Sequence, residues 1–345
     1  MTDSSDNGAF RTLDIWASAL DWLSQGRAIG MATVIDTWGS SPVAVGGQMV
    51  IASDEEFQGS VSGGCVEADV IVAALEAVSQ NRPKRLRFGI ANETAWASGL
   101  PCGGNIEILV EPLQGASDLA YAKAVNDSRN ERRLLLVTTD LESGQRKLHQ
   151  SAEGLDPKIV PLFSAARSGL VSSAPTDVFV QAFVPSPRLY IIGATHIAQA
   201  LVSISRILGL TPIVIDPRES FASSVRFGST RIVNEWPEAA LAELGLDPFS
   251  AVIALAHVAH IDDETLSLAL RSPCRYVGAL GSNRNHAKRR ARLSESGFSD
   301  QAIDRIHCPI GIDIGAVTPE EIALAIASEV VLAFRGPKRI AQTAD

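Results

Sequence analysis

Residues Arg188 to Asp216 read RLYIIGATHIAQALVSISRILGLTPIVID, and this stretch decides the fold. RLYII is a short apolar strand, GATH a turn, IAQALVSISRIL a helix, and TPIVID a second strand. TRIV (230–233), AVIALA (251–256) and RYVGAL (275–280) continue as short apolar strands separated by helical stretches. That alternation predicts an α/β domain, a Rossmann-like doubly wound parallel sheet with helices on both faces. A last helix is expected from Pro319 to about Arg335, with Thr318 as its N-cap and Glu321 completing a capping box.

Working outward, the prolines of PSPR (185–188) mark a linker. They divide the chain into an N-terminal domain, 1–186, and a C-terminal domain, 187–345. The N-terminal part also reads as α/β. Leu13, Trp16, Leu20 and Leu23 have helical spacing, AIGMATVID (28–36) and QMVIA (48–52) read as strands, and VEADVIVAALEAVSQ (66–80) reads as a helix. KRLRF and NIEILVEPL supply further strands, and the unit closes near Leu113. Between 117 and 184 only RRLLLVTTD and DVFVQAFV stand out, both as strands.

The chain has 345 residues and a formal net charge of −9, so it offers no basic face to nucleic acid or anionic lipid. No apolar run approaches the roughly 18 residues of a membrane span, and the N-terminus lacks a basic signal region. Four cysteines without a C-x-x-C pair suggest neither a disulfide framework nor a zinc site. A cytoplasmic protein with reduced thiols is expected.

Gly193, Thr195 and Ala198 occupy the three marked positions of a G-x-G-x-x-G/A fingerprint, and Asp216 ends the next strand where a ribose-binding acid would sit. Thr195 stands where a glycine would let the backbone approach a pyrophosphate. His196, at the helix start, is either a ligand contact or structural. Gly278, Gly281 and Ser282 open a helix with Arg284, His286 and Lys288 close behind. This loop reads either as a phosphate site or as a turn before a solvated basic helix. His257, Asp262 and Asp263 match no defined metal spacing, and a helix cap is the favoured reading. Cys274 and Cys308, each beside a proline, read as packing residues. On this sheet an NAD(P)-dependent oxidoreductase and a nucleotide-binding regulatory module both remain open.

The other constellation is GSVSGGCVEADVIVAALEA, 59–77, where Cys65 follows Gly63 and Gly64 at a helix start. A helix N-terminus favours a thiolate, and the glycines leave room for a bulky ligand. The alternative is a small residue in a tight turn. Cys102 lies in a second glycine loop, GLPCGGN. Two soft sulfur ligands in one domain suit soft or high-valent metals and sulfur transfer.

TVIDTWGSSPVAVGGQMVI, GSVSGGCVE, RFGIANETAWASGLPCGGNIEILVEPL, GALGSNRNHAKR and IGIDIGAVTPEEIALAIASE, in this order, resemble the XdhC/CoxI family of molybdenum-enzyme accessory proteins. The resemblance covers about Ala28 to Leu113 and Arg188 to Glu329. It implies a chaperone that binds molybdenum cofactor (Mo-molybdopterin) and holds it while a terminal oxo ligand is exchanged for sulfido. Delivery to a xanthine dehydrogenase-type molybdenum hydroxylase follows, with a cysteine desulfurase as sulfur donor and a homodimer as the assembly. The family's cofactor-binding motif falls on Ser62, Gly63, Gly64, Cys65 and Glu67, and its second loop on Cys102, Gly103 and Gly104. The resemblance sets Cys65, with Cys102 as a candidate second thiol, against the metal or its sulfur. Gly193, His196, Asp216, Gly281, Ser282 and Arg284 are the candidate contacts to a nucleotide or to part of the cofactor. The chain departs from the family pattern at Thr195, often glycine, and at Val317, often arginine.

Overall fold

The computed structural model describes residues 14–39, 41–89, 104–172 and 176–336. The chain divides between Pro185 and Ser186 into two compact units.

The N-terminal unit begins with α1 (Ile15–Ser24), whose first N–H groups are met by the Asp14 carboxylate, as an N-cap should do. It continues through β1 (Ile29–Trp38), β2 (Gln48–Ala52), β3 (Phe57–Gly59), α2 (Glu67–Gln80), β4 (Lys84–Phe88), β5 (Asn105–Leu113) and α3 (Gly115–Asn130). There follow β6 (Leu135–Asp140), β7 (Arg146–His149), α4 (Val160–Ala165), β8 (Gly169–Val171) and β9 (Val178–Phe183). Two sheets result, with strand orders β3-β2-β1-β5-β4 and β7-β6-β9-β8. The first is antiparallel throughout.

Central strand β1 is buried on both faces, which explains its nearly continuous apolar run. Ala32 and Val34 face the core over α2, whereas Ile29 and Met31 face the core around Trp16 and Trp22 of α1. Trp16 meets Tyr121 and Phe183 edge-on at centroid distances of 5.1 and 5.0 Å. Helix α3 left little trace in the sequence because its buried face is Ala122, Val125, Asn126 and Ser128. Asn126 is tolerated there because its amide donates to the carbonyls of Trp16 and Ala122.

The C-terminal unit contains β10 (Arg188–Ile192), α5 (His196–Ile207), β11 (Thr211–Ile215), α6 (Ser224–Phe227), β12 (Arg231–Val233), α7 (Pro237–Leu244) and β13 (Ser250–Ala254). Then come α8 (Ala259–Arg271), β14 (Tyr276–Ala279), α9 (Asn283–Glu295), α10 (Asp300–Ile303), β15 (Ile306–His307) and α11 (Pro319–Arg335). All strand pairs are parallel, and the order is β12-β11-β10-β13-β14-β15. This is the doubly wound order with its switch point between β10 and β13, and the expected α/β class holds. Alternate residues of β10 divide the core: Leu189 and Ile191 pack under α5 and α11, Tyr190 and Ile192 under α7, α8 and α9. Helix α11 starts in the capping box expected of Thr318 and Glu321.

Gly193 follows β10 with φ +104°, and a Cβ there would lie 2.7 Å from the backbone of Ala256, just beyond β13. Only glycine permits that approach at the switch point. Gly193→Ala should therefore cost on the order of 2–4 kcal/mol, against about 1 kcal/mol for Thr318→Ala at a helix cap. Denaturant melts of the two variants compare the costs; an alanine at 193 as mild as that at 318 would contradict the close packing.

Candidate functional site

Between β3 and α2 the chain must turn from a strand into a helix within a few residues, and two glycines make this possible. Gly63 and Gly64 have φ of +79° and +110°. A Cβ at Gly64 would meet nothing within 4 Å, and one at Gly63 would only touch Pro42 at 3.5 Å. The glycines are therefore required by backbone conformation rather than by crowding from the protein, and the space beside them is open.

Side chains then fix the turn. The Ser62 hydroxyl, buried, accepts from the N–H groups of Cys65 and Val66, each at 3.0 Å. Glu67, first residue of α2, folds its carboxylate back over the loop. Oε1 accepts from the Ser60 hydroxyl at 2.6 Å and the Ser62 N–H at 3.0 Å. Oε2 accepts from the Ser62 hydroxyl at 2.5 Å and the Gly64 N–H at 2.9 Å. Burial disfavours the charge, but the hydrogen bonds from Ser60 and Ser62 outweigh it and hold the carboxyl at about 2. Val66, the formal N-cap, contributes no side-chain bond; its own N–H is held by Ser62 Oγ at 3.0 Å and Glu67 Oε2 at 3.2 Å. Glu67 thus faces the loop. What the loop presents to solvent is Gly63, Gly64 and the free, exposed thiol of Cys65.

The antiparallel register brings the other motif segments to the same end of the first sheet. Met49 pairs with Gly59, so the Cys65 loop leaves where β2 begins. Thr33 pairs with Gln48, and the loop from β1 to β2 arches over this end, with Pro42 beside Gly63. Trp38 pairs with Asn105, and Phe88 with Ile106. The described chain breaks off after Gly89 and resumes at Gly104 at that end. Cys102 and Gly103 lie outside the described residues; Gly104, where the chain re-enters, is buried. Pro42 and Ser60 carried no signal in the sequence, because their importance arises from the turn they touch.

In the C-terminal unit the expected nucleotide contacts are largely occupied by the protein itself. Asp216, 1% exposed, accepts from the Ala194 N–H at 2.8 Å, the Arg218 N–H at 3.0 Å, and the Arg218 guanidinium at 2.8 and 2.7 Å. Burial opposes its charge, and Arg218 more than compensates, so its pKa falls. Arg218 also lies over Phe221, 4.2 Å from the ring centroid. Arg226 donates to the carbonyls of Ala194 and Phe221. Thr195 is the N-cap of α5, accepting from the Ala198 N–H at 3.2 Å. The threonine in the fingerprint thus does helix-capping work, and Gly193 is packed against Ala256. His196 is exposed and lines an open hollow of about 540 Å³ with Gln199, Ser203 and Glu320.

Gly281 (φ +147°) and the N-cap Ser282 begin α9, and Arg284 is exposed in its first turn. Beneath them Arg289, 6% exposed, donates to the Leu280 carbonyl and to Cys308 Sγ. Asp262 accepts from the Ala256 N–H and is pushed up to about 6 by burial, partly offset by Arg289. Asp263 pairs with Arg292. Among the described residues no three His, Cys, Asp or Glu side chains are placed to hold a metal ion. Burial raises the pKa of both Cys274 and Cys308, so both remain protonated thiols. Neither Arg218 nor Arg289 could be singled out beforehand, since a surface arginine and a buried one look alike in a sequence.

Residues 22–89 match the XdhC and CoxI family, and residues 189–330 match the XdhC Rossmann domain. The chain is 28% identical over 313 residues to the molybdenum cofactor insertion chaperone PaoD of Escherichia coli, covering 90% of this chain and 85% of that protein. It is 26% identical over 310 residues to a probable xanthine dehydrogenase subunit of Bacillus subtilis, covering 87% of this chain and 92% of that protein. A crystal structure described as a xanthine dehydrogenase from Bacillus halodurans shares the fold, with a TM-score of 0.74 at 23% identity over 96% of this chain and 98% of that one. With its cysteine-bearing α/β unit followed by a parallel doubly wound sheet, the chain belongs to the XdhC/CoxI family.

Proposed function

We propose that this protein is an insertion chaperone for molybdenum cofactor. It holds the cofactor at the Cys65 loop during exchange of an oxo ligand for sulfido and hands it to a xanthine dehydrogenase-type molybdenum hydroxylase. The observation that carries this reading is the exposed Cys65 thiol on a loop fixed by Ser62 and Glu67. That loop stands at the end of the sheet where β4 ends and β5 begins, the two strands that flank the Cys102 segment in sequence. A thiolate is a soft ligand suited to molybdenum or its sulfur. The name of the Escherichia coli relative supports the cargo, and that of the Bacillus subtilis relative supports the client.

The working role of each residue follows. Cys65 meets the metal end of the cargo, with Cys102 as second thiol; Ser62, Gly63, Gly64 and Glu67 shape the loop, and Gly103 and Gly104 flank the second. A cysteine desulfurase is the proposed sulfur donor and a homodimer the proposed assembly. No helix among the described residues is long and apolar enough to cross a membrane, and the proposed compartment is the cytoplasm. Gly281, Ser282 and Arg284 are the proposed contacts for an anionic group in the C-terminal unit.

Cys65→Ser keeps the size of the side chain but replaces a soft sulfur with a hard, protonated oxygen. The variant should fold with an unchanged thermal midpoint and lose most cofactor retention and client activation. Cys102→Ser should do the same to an equal or smaller degree, whereas Cys274→Ser should leave delivery intact. Cofactor per mole of protein and the activity of a co-expressed molybdenum hydroxylase are the measurements. A Cys65→Ser protein equal to wild type in both would refute the assignment.

Because Asp216 is already saturated by Arg218 and Ala194, titration with NADH or NADPH should show no binding tighter than roughly 100 μM, about −5.5 kcal/mol. Submicromolar binding would restore the oxidoreductase reading. Arg284→Ala should weaken retention of the cofactor by about 1.5–3 kcal/mol if the guanidinium meets an anionic group. Unchanged retention would leave that loop as a turn before a solvated helix.

A further inference from the structure

The hydrogen bonds of the Cys65 loop leave nothing over for an anion. The backbone N–H groups of Val61, Ser62, Gly64 and Val66 point at the Glu67 carboxylate, at 3.3, 3.0, 2.9 and 3.2 Å. The Ser60 and Ser62 hydroxyls add two more donors to the same group. The remaining N–H groups are engaged as well, Gly63 by the Ser60 hydroxyl and Cys65 by that of Ser62. A ring of converging N–H groups around a turn with positive φ is the form in which proteins bind phosphate and other oxyanions. Here the chain supplies the anion itself.

We propose that Glu67 is a specificity-determining residue: it fills an anion nest from within, so that the Cys65 loop rejects phosphate and free oxyanions and engages its cargo through the thiol alone. An incoming phosphate or molybdate ion would meet a fixed negative charge and no vacant N–H group among residues 61–66, and two like charges in contact repel strongly where water is scarce. The consequence for the cargo is an orientation. Its metal and sulfur end meets the loop and its phosphate lies elsewhere. This inference rests on the proposed cofactor-binding role of Cys65 and adds which chemistry the loop accepts.

The test uses the full-length protein and three probes: inorganic phosphate, molybdate and formate, a carboxylate small enough to replace the one removed. The readouts are the thermal midpoint and the rate at which iodoacetamide alkylates Cys65, followed on the Cys65 peptide by mass spectrometry. In wild type the Cys65 alkylation rate should be indifferent to all three probes at about 50 mM, whatever the Arg284 loop adds to the thermal midpoint. Glu67→Ala vacates the nest. Its thermal midpoint should fall and rise again with formate or phosphate, and either ion should change the Cys65 alkylation rate at least threefold. Glu67→Gln keeps the volume but sets an amide nitrogen against donors that now reach a carboxylate oxygen, so its side chain should leave the nest and phosphate should affect Cys65 in the same way. It serves if the alanine variant does not fold.

A wild type that responds to phosphate as strongly as the variants would overturn the proposal. So would folded variants insensitive to every probe, or failure of both to fold even in formate, which would make Glu67 a folding residue only. Cofactor content of the wild type decides the chaperone reading separately. A protein that holds no cofactor, yet gains a phosphate response on losing Glu67, fails as a chaperone and still obeys the nest.

Discussion

The hydrogen bonds that Glu67 accepts set the geometry on which the Cys65 loop depends. A turn from strand to helix leaves the first N–H groups of the helix without partners, and buried donors cost free energy unless they are met. Val66 has no polar side chain to meet them. Ser62 and Glu67 instead meet the N–H of Val66 itself and those of the loop before it, and the loop gains a shape that the thiol can rely on. Burial works against ionising Glu67; the donors around it win, which is the usual outcome when a carboxylate collects several N–H and O–H bonds. The same interaction therefore closes the loop, starts α2 and carries a permanent negative charge beside Cys65.

A similar logic governs the C-terminal sheet. The fold places the end of β10 at a switch point, where doubly wound proteins bind nucleotides. In this chain Ala256 presses on Gly193, Thr195 caps α5, and Arg218 with the Ala194 N–H engages Asp216. The bonds from Arg218 and the Ala194 N–H satisfy the carboxylate that a ribose would otherwise contact. The architecture is kept while the chain's own groups take over the contacts, a reminder that fold alone does not carry function.

In the N-terminal unit the two sheets and three long helices divide a large apolar surface among separate cores. Strand β1 contributes to three of them, with Val34 on one face and Met31 and Ile35 on the other. Such a strand admits a polar residue before Asp36 only at Thr33, whose hydroxyl accepts from the Gln48 amide at 3.0 Å, and this is why its apolar run is nearly continuous until Asp36. At that point register shifts by a bulge and the strand runs on toward the functional end, ending at the exposed Trp38. The Cys65 loop, the proposed cofactor site, lies at the end where the core constraint relaxes.

The sequence by itself determined the parallel sheet, the main strands of the first sheet, the closing helix with its capping box, and the two stretches holding Cys65 and Asp216. These features depend on local periodicity, on glycine and proline, or on caps, all of which act over a few residues. Helix α3 escaped notice because its buried face is made of small and polar groups, whose burial is permitted only by partners such as the Trp16 carbonyl. The roles of Asp216 and Glu67 were equally hidden. A carboxylate placed to bind a ligand and one saturated by its own chain have the same letter, and what separates them is the donors that folding brings within 3 Å. Only the tertiary structure decided that, because hydrogen bonds depend on convergence in space, whereas periodicity and turn chemistry are already written along the chain.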